Sequence, residues 1–162
     1  MAAKWYLVAG PTGAGKTTVA RELARREGGV VFSIDEWMQN LYWMDCPEKN
    51  DLAFALERIT RCEAQIAAVA LRLAAAGITS VLDLGLTRRS HRKEWLERAR
   101  AAGIEAKLYE VQVPAEERWQ RVLQRNQAAT NPTANETYSF TVTREMFDFM
   151  ERRWEPVSAD ER

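Results

Sequence analysis

Residues 10–17 read Gly10-Pro11-Thr12-Gly13-Ala14-Gly15-Lys16-Thr17, the most informative run of the chain. It fits the phosphate-binding pattern G-x-x-x-x-G-K-[ST] without a gap. Small residues let the backbone curl so that successive N–H groups converge, and glycine tolerates the positive φ this requires. Lys16 brings a point charge to the β- and γ-phosphates, and the Thr17 hydroxyl suits Mg²⁺. The pattern thus assigns Gly10, Thr12, Gly13, Ala14, Gly15, Lys16, Thr17 and Thr18 to the phosphates of a nucleotide, with ATP and Mg²⁺ as the expected pair.

The flanks agree with the loop. Lys4 to Ala9 is an apolar run of strand length. Thr17 to Glu27 carries Val19, Ala20, Leu23 and Ala24 at helical spacing, with Arg21, Glu22, Arg25 and Arg26 on the other side. Strand, loop and helix is the arrangement the motif needs, with the anion at the helix N-terminus.

The rest of the chain keeps alternating. Val30 to Ile34 reads as a second strand closing on Asp35, and Glu36 to Met44 as a helical or mixed aromatic stretch. Leu52 to Ala76 reads as a long helix, Ile78 to Leu84 as a third strand bearing Asp83, and Ser90 to Ala102 as a helix. Ile104 to Val113 alternates as a fourth strand. Pro114 opens a helix to about Asn126, Gln127 to Phe140 is a polar loop, and Arg144 to Arg153 is a last helix. Val157 to Arg162 is too polar for a buried fifth strand. The expectation is one α/β domain over 1–162, a three-layer α/β/α sandwich on a mostly parallel sheet of about four strands, with a small lid near 127–140. Ligands in such sheets gather beyond the carboxyl ends of the strands, which brings the phosphate loop, Asp35 and Asp83 to one edge.

Composition narrows the function. Lys and Arg equal Asp and Glu at 23 each, so bulk charge gives no hold on nucleic acid or on a membrane surface. Cys46 and Cys62 have neither metal-ligand nor redox spacing, and a disulfide is not expected. No apolar run is long enough to span a membrane, and no signal peptide precedes the first strand, so a cytoplasmic protein is expected. His91 is the single histidine, which removes histidine-based triads and metal sites and leaves it as a surface residue near a helix start.

With these residues placed, the chain resembles the small P-loop kinases that phosphorylate a hydroxyl, the group of zeta toxins, chloramphenicol phosphotransferase, gluconate kinase and polynucleotide kinase. The resemblance rests on Gly10–Thr18, Ser33-Ile34-Asp35-Glu36, Val81-Leu82-Asp83 with Arg88, Arg89 and Arg92 after it, and Arg118–Arg125. It implies that Asp35 takes the acceptor proton or orients the attacking oxygen; the residue-level alternative is a helix N-cap. Glu36 beside it is explained by its place in a first helical turn. Asp83 is read as touching a Mg²⁺-bound water or gripping the acceptor, against a simple pairing with Arg88 or Arg92. Arg118, Arg121 and Arg125 share a helical face. The resemblance sets Arg121 and Arg125 against the phosphates, and the alternative is a solvated face paired with Glu116 and Glu117. Arg88, Arg89 and Arg92 either hold an anionic acceptor or cap a helix.

Trp37, Met38, Leu41, Tyr42, Trp43 and Met44 form either an acceptor pocket or core. Tyr138 and Phe140 are placed to cover the site, while Phe147, Phe149 and Trp154 read as packing. The implied activity is ATP-dependent phosphorylation of an alcohol on a small molecule, with a nucleic-acid 5′ end as a second acceptor class. A GTPase is excluded because N-K-x-D is missing and the Asp83 region lacks D-x-x-G, and a motor or AAA+ ATPase on length and the lack of a second lobe. A nucleotide-binding regulatory module or toxin-like partner protein, without turnover of its own, is the rival from another class; the acid at Asp35 speaks against it. The acceptor itself and the oligomeric state are not written in the sequence.

Overall fold

The computed structural model describes residues 2–48, 51–130 and 141–162. Its strands are β1 (Lys4–Ala9), β2 (Val30–Ser33), β3 (Ser80–Asp83) and β4 (Glu105–Glu110). Its helices are α1 (Lys16–Glu27), α2 (Ile34–Leu41), α3 (Leu52–Ala75), α4 (Arg89–Ala101), α5 (Ala115–Thr130) and α6 (Arg144–Arg153), with short 3-10 turns at Trp43–Asp45 and Ala159–Glu161. The strands form one parallel sheet in the order β2-β3-β1-β4. β1 therefore lies beside β3, and the loops leaving their carboxyl ends are neighbours.

Strand periodicity divides the core in two. Trp5, Leu7 and Ala9 point to one face, where Ile66, Ala67 and Ala70 of α3 and Trp95 and Ala99 of α4 cover them. Tyr6 and Val8 point to the other, against Ala20, Leu23 and Ala24 of α1. Val122 of α5 and Phe147 of α6 close a smaller cluster with Val142. Helices thus cover both faces, giving the three-layer α/β/α sandwich that the alternation predicts.

Several boundaries differ from the expectation. β2 stops at Ser33 rather than running through Ile34, because the Ser33 hydroxyl accepts from the Glu36 N–H (3.4 Å) and caps α2. Ile34 looks like a strand residue because it is apolar; it is buried as the first residue of a helix. α5 runs four residues past Asn126, to Thr130, since Gln-Ala-Ala-Thr continues a helix as well as it opens a loop. The start of the expected lid at Gln127 is therefore helical, and 131–140, including Asn131, Pro132, Tyr138 and Phe140, fall outside the described residues.

The tail after α6 folds back onto the domain. The Glu155 N–H donates to the Thr87 carbonyl at 2.9 Å, and the Val157 N–H donates to Glu110 at 3.2 Å. Cys46 is half-buried and Cys62 lies in the core; both are free thiols.

Candidate active site

The phosphate loop joins β1 to α1 at the middle of the sheet's carboxyl edge. Gly13 (φ 78°) and Gly15 (φ 87°) take left-handed conformations that turn the chain into the helix. A Cβ on Gly13 would sit 2.7 Å from the Arg118 carbonyl oxygen, and one on Gly10 would sit 3.0 Å from the Val111 carbonyl oxygen. The loop is therefore pressed against its neighbours by backbone, and side chains are excluded there. Ala14 is buried, Thr12 is half-buried and Thr18 is exposed.

Lys16 is half-buried, and its ammonium donates to the Pro11 carbonyl (3.1 Å), curling back over the loop. Burial pushes its pKa below the ordinary lysine value. Asp83 and then Asp35 pull it back up, while Arg125 and Arg118 add to the depression. An anion seated beside Lys16 would relieve this cost.

Asp83 is buried at the end of β3, and the Thr17 hydroxyl donates to its Oδ2 at 2.9 Å. Burial raises its pKa; the Thr17 hydrogen bond and Lys16 oppose that rise, and the Asp35 charge adds to it. Asp35 is exposed in the first turn of α2, two residues beyond Ser33, which is in register with Asp83 across the β2–β3 pair. Ser33 takes the capping role, and the Asp35 carboxylate has no hydrogen bond or ion pair among the described residues; its charge raises the pKa of both Lys16 and Asp83. Glu36 is exposed in the same turn.

The arginines divide. Arg118 is buried, 3% exposed, and is taken up by protein partners: its guanidinium donates to Val113 and Thr12 carbonyls and to both oxygens of Glu151. Arg121 is exposed; it pairs with Glu117 at 2.6 Å and reaches the Ala14 carbonyl at 3.4 Å. Its Nη1 lies 3.5 Å from where a Gly15 Cβ would be, at the N-terminus of α1. Arg125 is exposed, close enough to depress the Lys16 pKa, and without an ion pair among the described residues.

Arg92 does not pair with Asp83. It is fully buried and binds Glu161 through Nε (2.7 Å) and Nη2 (3.1 Å), and it donates to the carbonyls of Leu86, Thr87, Glu155 and Pro156. Arg89 pairs with Asp160, and its N–H donates to Glu155. Arg88 is exposed at the N-cap of α4.

The aromatic stretch after Asp35 is mostly core. Met38 is buried, and Trp37, Tyr42 and Trp43 pack on the same cluster, whereas Leu41 and Met44 are exposed. His91 is not a free surface group: its Nε2 lies 2.9 Å from Glu63 and 3.3 Å from the Trp95 Nε1 donor. Phe147 is buried and Trp154 half-buried, but Phe149 is exposed, against the packing role expected for it. Sequence reasoning missed Glu151 and Glu161, whose partners lie far away in the chain and leave no local spacing to read.

These features have a family. A family model named AAA_33, described as an AAA domain, matches residues 6–156, and the chain belongs to that family. No curated protein matches the chain. Among solved structures, Kti12 of Chaetomium thermophilum in complex with ADP-AlF3 is similar at TM-score 0.66 and 17% identity, over 94% of this chain and 80% of that one. The APS kinase CysC of Mycobacterium tuberculosis, solved with AMPPNP and APS, is similar at TM-score 0.57 and 18% identity, over 93% of this chain and 94% of that one. A chain of the Pnkp1/Rnl/Hen1 RNA repair complex is similar at TM-score 0.65 and 17% identity; 93% of this chain aligns, spanning 43% of that longer chain. The fold is that of the P-loop kinases.

Proposed function

We propose that this protein is an ATP-dependent phosphotransferase that moves the γ-phosphate to a hydroxyl. One observation carries the reading: the Thr17 hydroxyl is hydrogen-bonded to Asp83 at 2.9 Å, and the Asp83 and Asp35 charges both act on Lys16. This gathers an anion-binding loop, a hard oxygen pair and a free acid at one strand edge.

The residues present fit Mg·ATP. The glycine cradle admits no side chain, and Lys16 is a cation short of counter-charge. Thr17 and Asp83 offer oxygen donors of the kind Mg²⁺ prefers. Mg²⁺ at such a site would be held mainly by phosphates and water, with few protein oxygens. When bound, Mg²⁺ would neutralise charge on the β- and γ-oxygens.

The chain's own residues would do the rest. Lys16 would turn from the Pro11 carbonyl to the phosphates. Asp35 would accept the acceptor's proton or orient its oxygen, with orientation the larger share because phosphoryl transfer has a loose transition state. Arg121 and Arg125 would stabilise charge on the transferred group. Kinship in fold with APS kinase and with a polynucleotide repair protein supports both small-molecule and nucleic-acid-end acceptors, the small molecule being the first choice. Among the described residues no helix is long and apolar enough to cross a membrane.

Titration calorimetry with a non-hydrolysable ATP analogue and Mg²⁺ tests the nucleotide half. The unmutated protein should bind, and Lys16→Ala should bind at least about tenfold more weakly. A protein with no nucleotide affinity would sink the reading.

A further inference from the structure

Arg118 lies in a place where its charge is already spent. Its five N–H groups form a rigid fork, and four of them are taken: Nε donates to Val113 O (2.8 Å), Nη1 to Thr12 O (3.1 Å) and Glu151 Oε2 (2.8 Å), and Nη2 to Glu151 Oε1 (2.7 Å). An arginine committed in this way is not a phosphate ligand. Its bond to Thr12, however, falls inside the phosphate loop.

A trans peptide is planar, so its carbonyl and the next N–H point in opposite directions. Holding the Thr12 carbonyl toward α5 therefore aims the Gly13 N–H away from α5. That N–H makes no hydrogen bond among the described residues, whereas the Ala14 N–H is used by Pro11. The left-handed Gly13, pressed against the Arg118 backbone, leaves this peptide little other choice.

We propose that Arg118 is a positioning residue of the phosphate loop: it sets the Thr12–Gly13 peptide so that the Gly13 N–H is presented to an anion, and Glu151 of α6 holds Arg118 in that role. The proposal rests on the ATP reading above. A donor fixed before the ligand arrives needs no reorganisation on binding, which is where the affinity is gained. Neutralisation by Glu151 also keeps Arg118 from swinging toward the phosphates in place of the backbone.

Binding of tripolyphosphate and of a non-hydrolysable ATP analogue, each with Mg²⁺, tests this in Arg118→Lys and Glu151→Gln. Lysine keeps the charge but cannot bridge two carbonyls and a carboxylate. Arg118→Lys should lose about tenfold in affinity, by the same factor for both ligands, because the effect lies in the phosphate cradle and not in the base. Glu151→Gln leaves the contacts to Thr12 and Val113 in place and should lose less, about threefold. The Gly13 amide resonance should move on adding tripolyphosphate to the unmutated protein and move less in Arg118→Lys.

A folded Arg118→Lys that binds tripolyphosphate as tightly as the unmutated protein overturns the proposal. If Arg118→Lys does not fold, undiminished binding by Glu151→Gln overturns it. An unmutated protein that binds neither ligand removes the ATP reading and this proposal together; binding that the substitutions leave unchanged removes the proposal alone.

Discussion

Two groups of three arginines stand near the carboxyl edge of the sheet, one after β3 and one along α5. Each gives up one member to the backbone. Arg92 is buried against Glu161 and four carbonyls; Arg118 is buried against Glu151 and two. The groups differ in what remains. Beside Arg118, Arg121 pairs with Glu117 but also reaches the N-terminus of α1, and Arg125 bears on Lys16. Beside Arg92, Arg89 is tied to Asp160 and Arg88 stands at a helix cap. A basic cluster is thus no anion site by itself. One arginine anchors in each group, and in the proposed function it is the two left at the phosphate loop that act on the ligand.

This division makes anchors and rim residues fail in different ways. Arg92→Met strands the buried Glu161 and the carbonyls it serves, and should cost about 3–5 kcal/mol in denaturant unfolding. The fraction that stays folded should bind nucleotide normally. Arg125→Ala should do the reverse. Turnover should fall on the order of a hundredfold, while unfolding free energy stays within about 0.5 kcal/mol of the unmutated value. An Arg125→Ala enzyme with undiminished kcat would remove that arginine from the rim.

The anchor at Arg92 also has a pH signature. Arg92 holds the Glu161 carboxyl down from its ordinary 4.5 to about 2. A carboxylate depressed in the folded state stabilises fully above its ordinary pKa and loses that contribution as pH falls toward the folded value. Glu161→Gln should therefore be about 2 kcal/mol less stable than the unmutated protein at neutral pH, with the gap closing between about pH 4.5 and pH 2 in acid unfolding curves. A gap independent of pH would remove the ion pair from the account. The smallest effect belongs to Arg89→Ala: its pairing with Asp160 is exposed, and thermal melts should register less than about 0.5 kcal/mol.

Much of this architecture was legible in the chain, because its signals are local. The glycine-lysine-threonine loop, the alternation within β1 and the four parallel strands follow from short-range spacing. What escaped depends on contacts between distant segments. Nothing near Arg118 in sequence tells that Glu151 will claim it, and nothing near Arg92 points to Glu161. The end of β2 escaped for a smaller reason: a serine hydroxyl, and not the apolar run, decides where the strand stops. At the candidate site, the Thr17–Asp83 approach follows from strand order, whereas the freedom of Asp35 emerges only once Ser33 is seen to cap α2.

Transfer of label from γ-labelled ATP is the decisive measurement for phosphotransfer. Antibiotics, sugars, nucleosides, amino-sugar nucleotides and RNA or DNA 5′ ends form the acceptor panel, with the unmutated protein and Asp35→Asn compared. The unmutated protein should label a hydroxyl on one of these acceptors. Asp35→Asn should label it about a hundredfold more slowly at near-normal ATP affinity, since asparagine keeps the size and loses the basic charge. Labelling that is equally fast with Asp35→Asn, or no labelled acceptor from a protein that binds ATP, would contradict the proposed function.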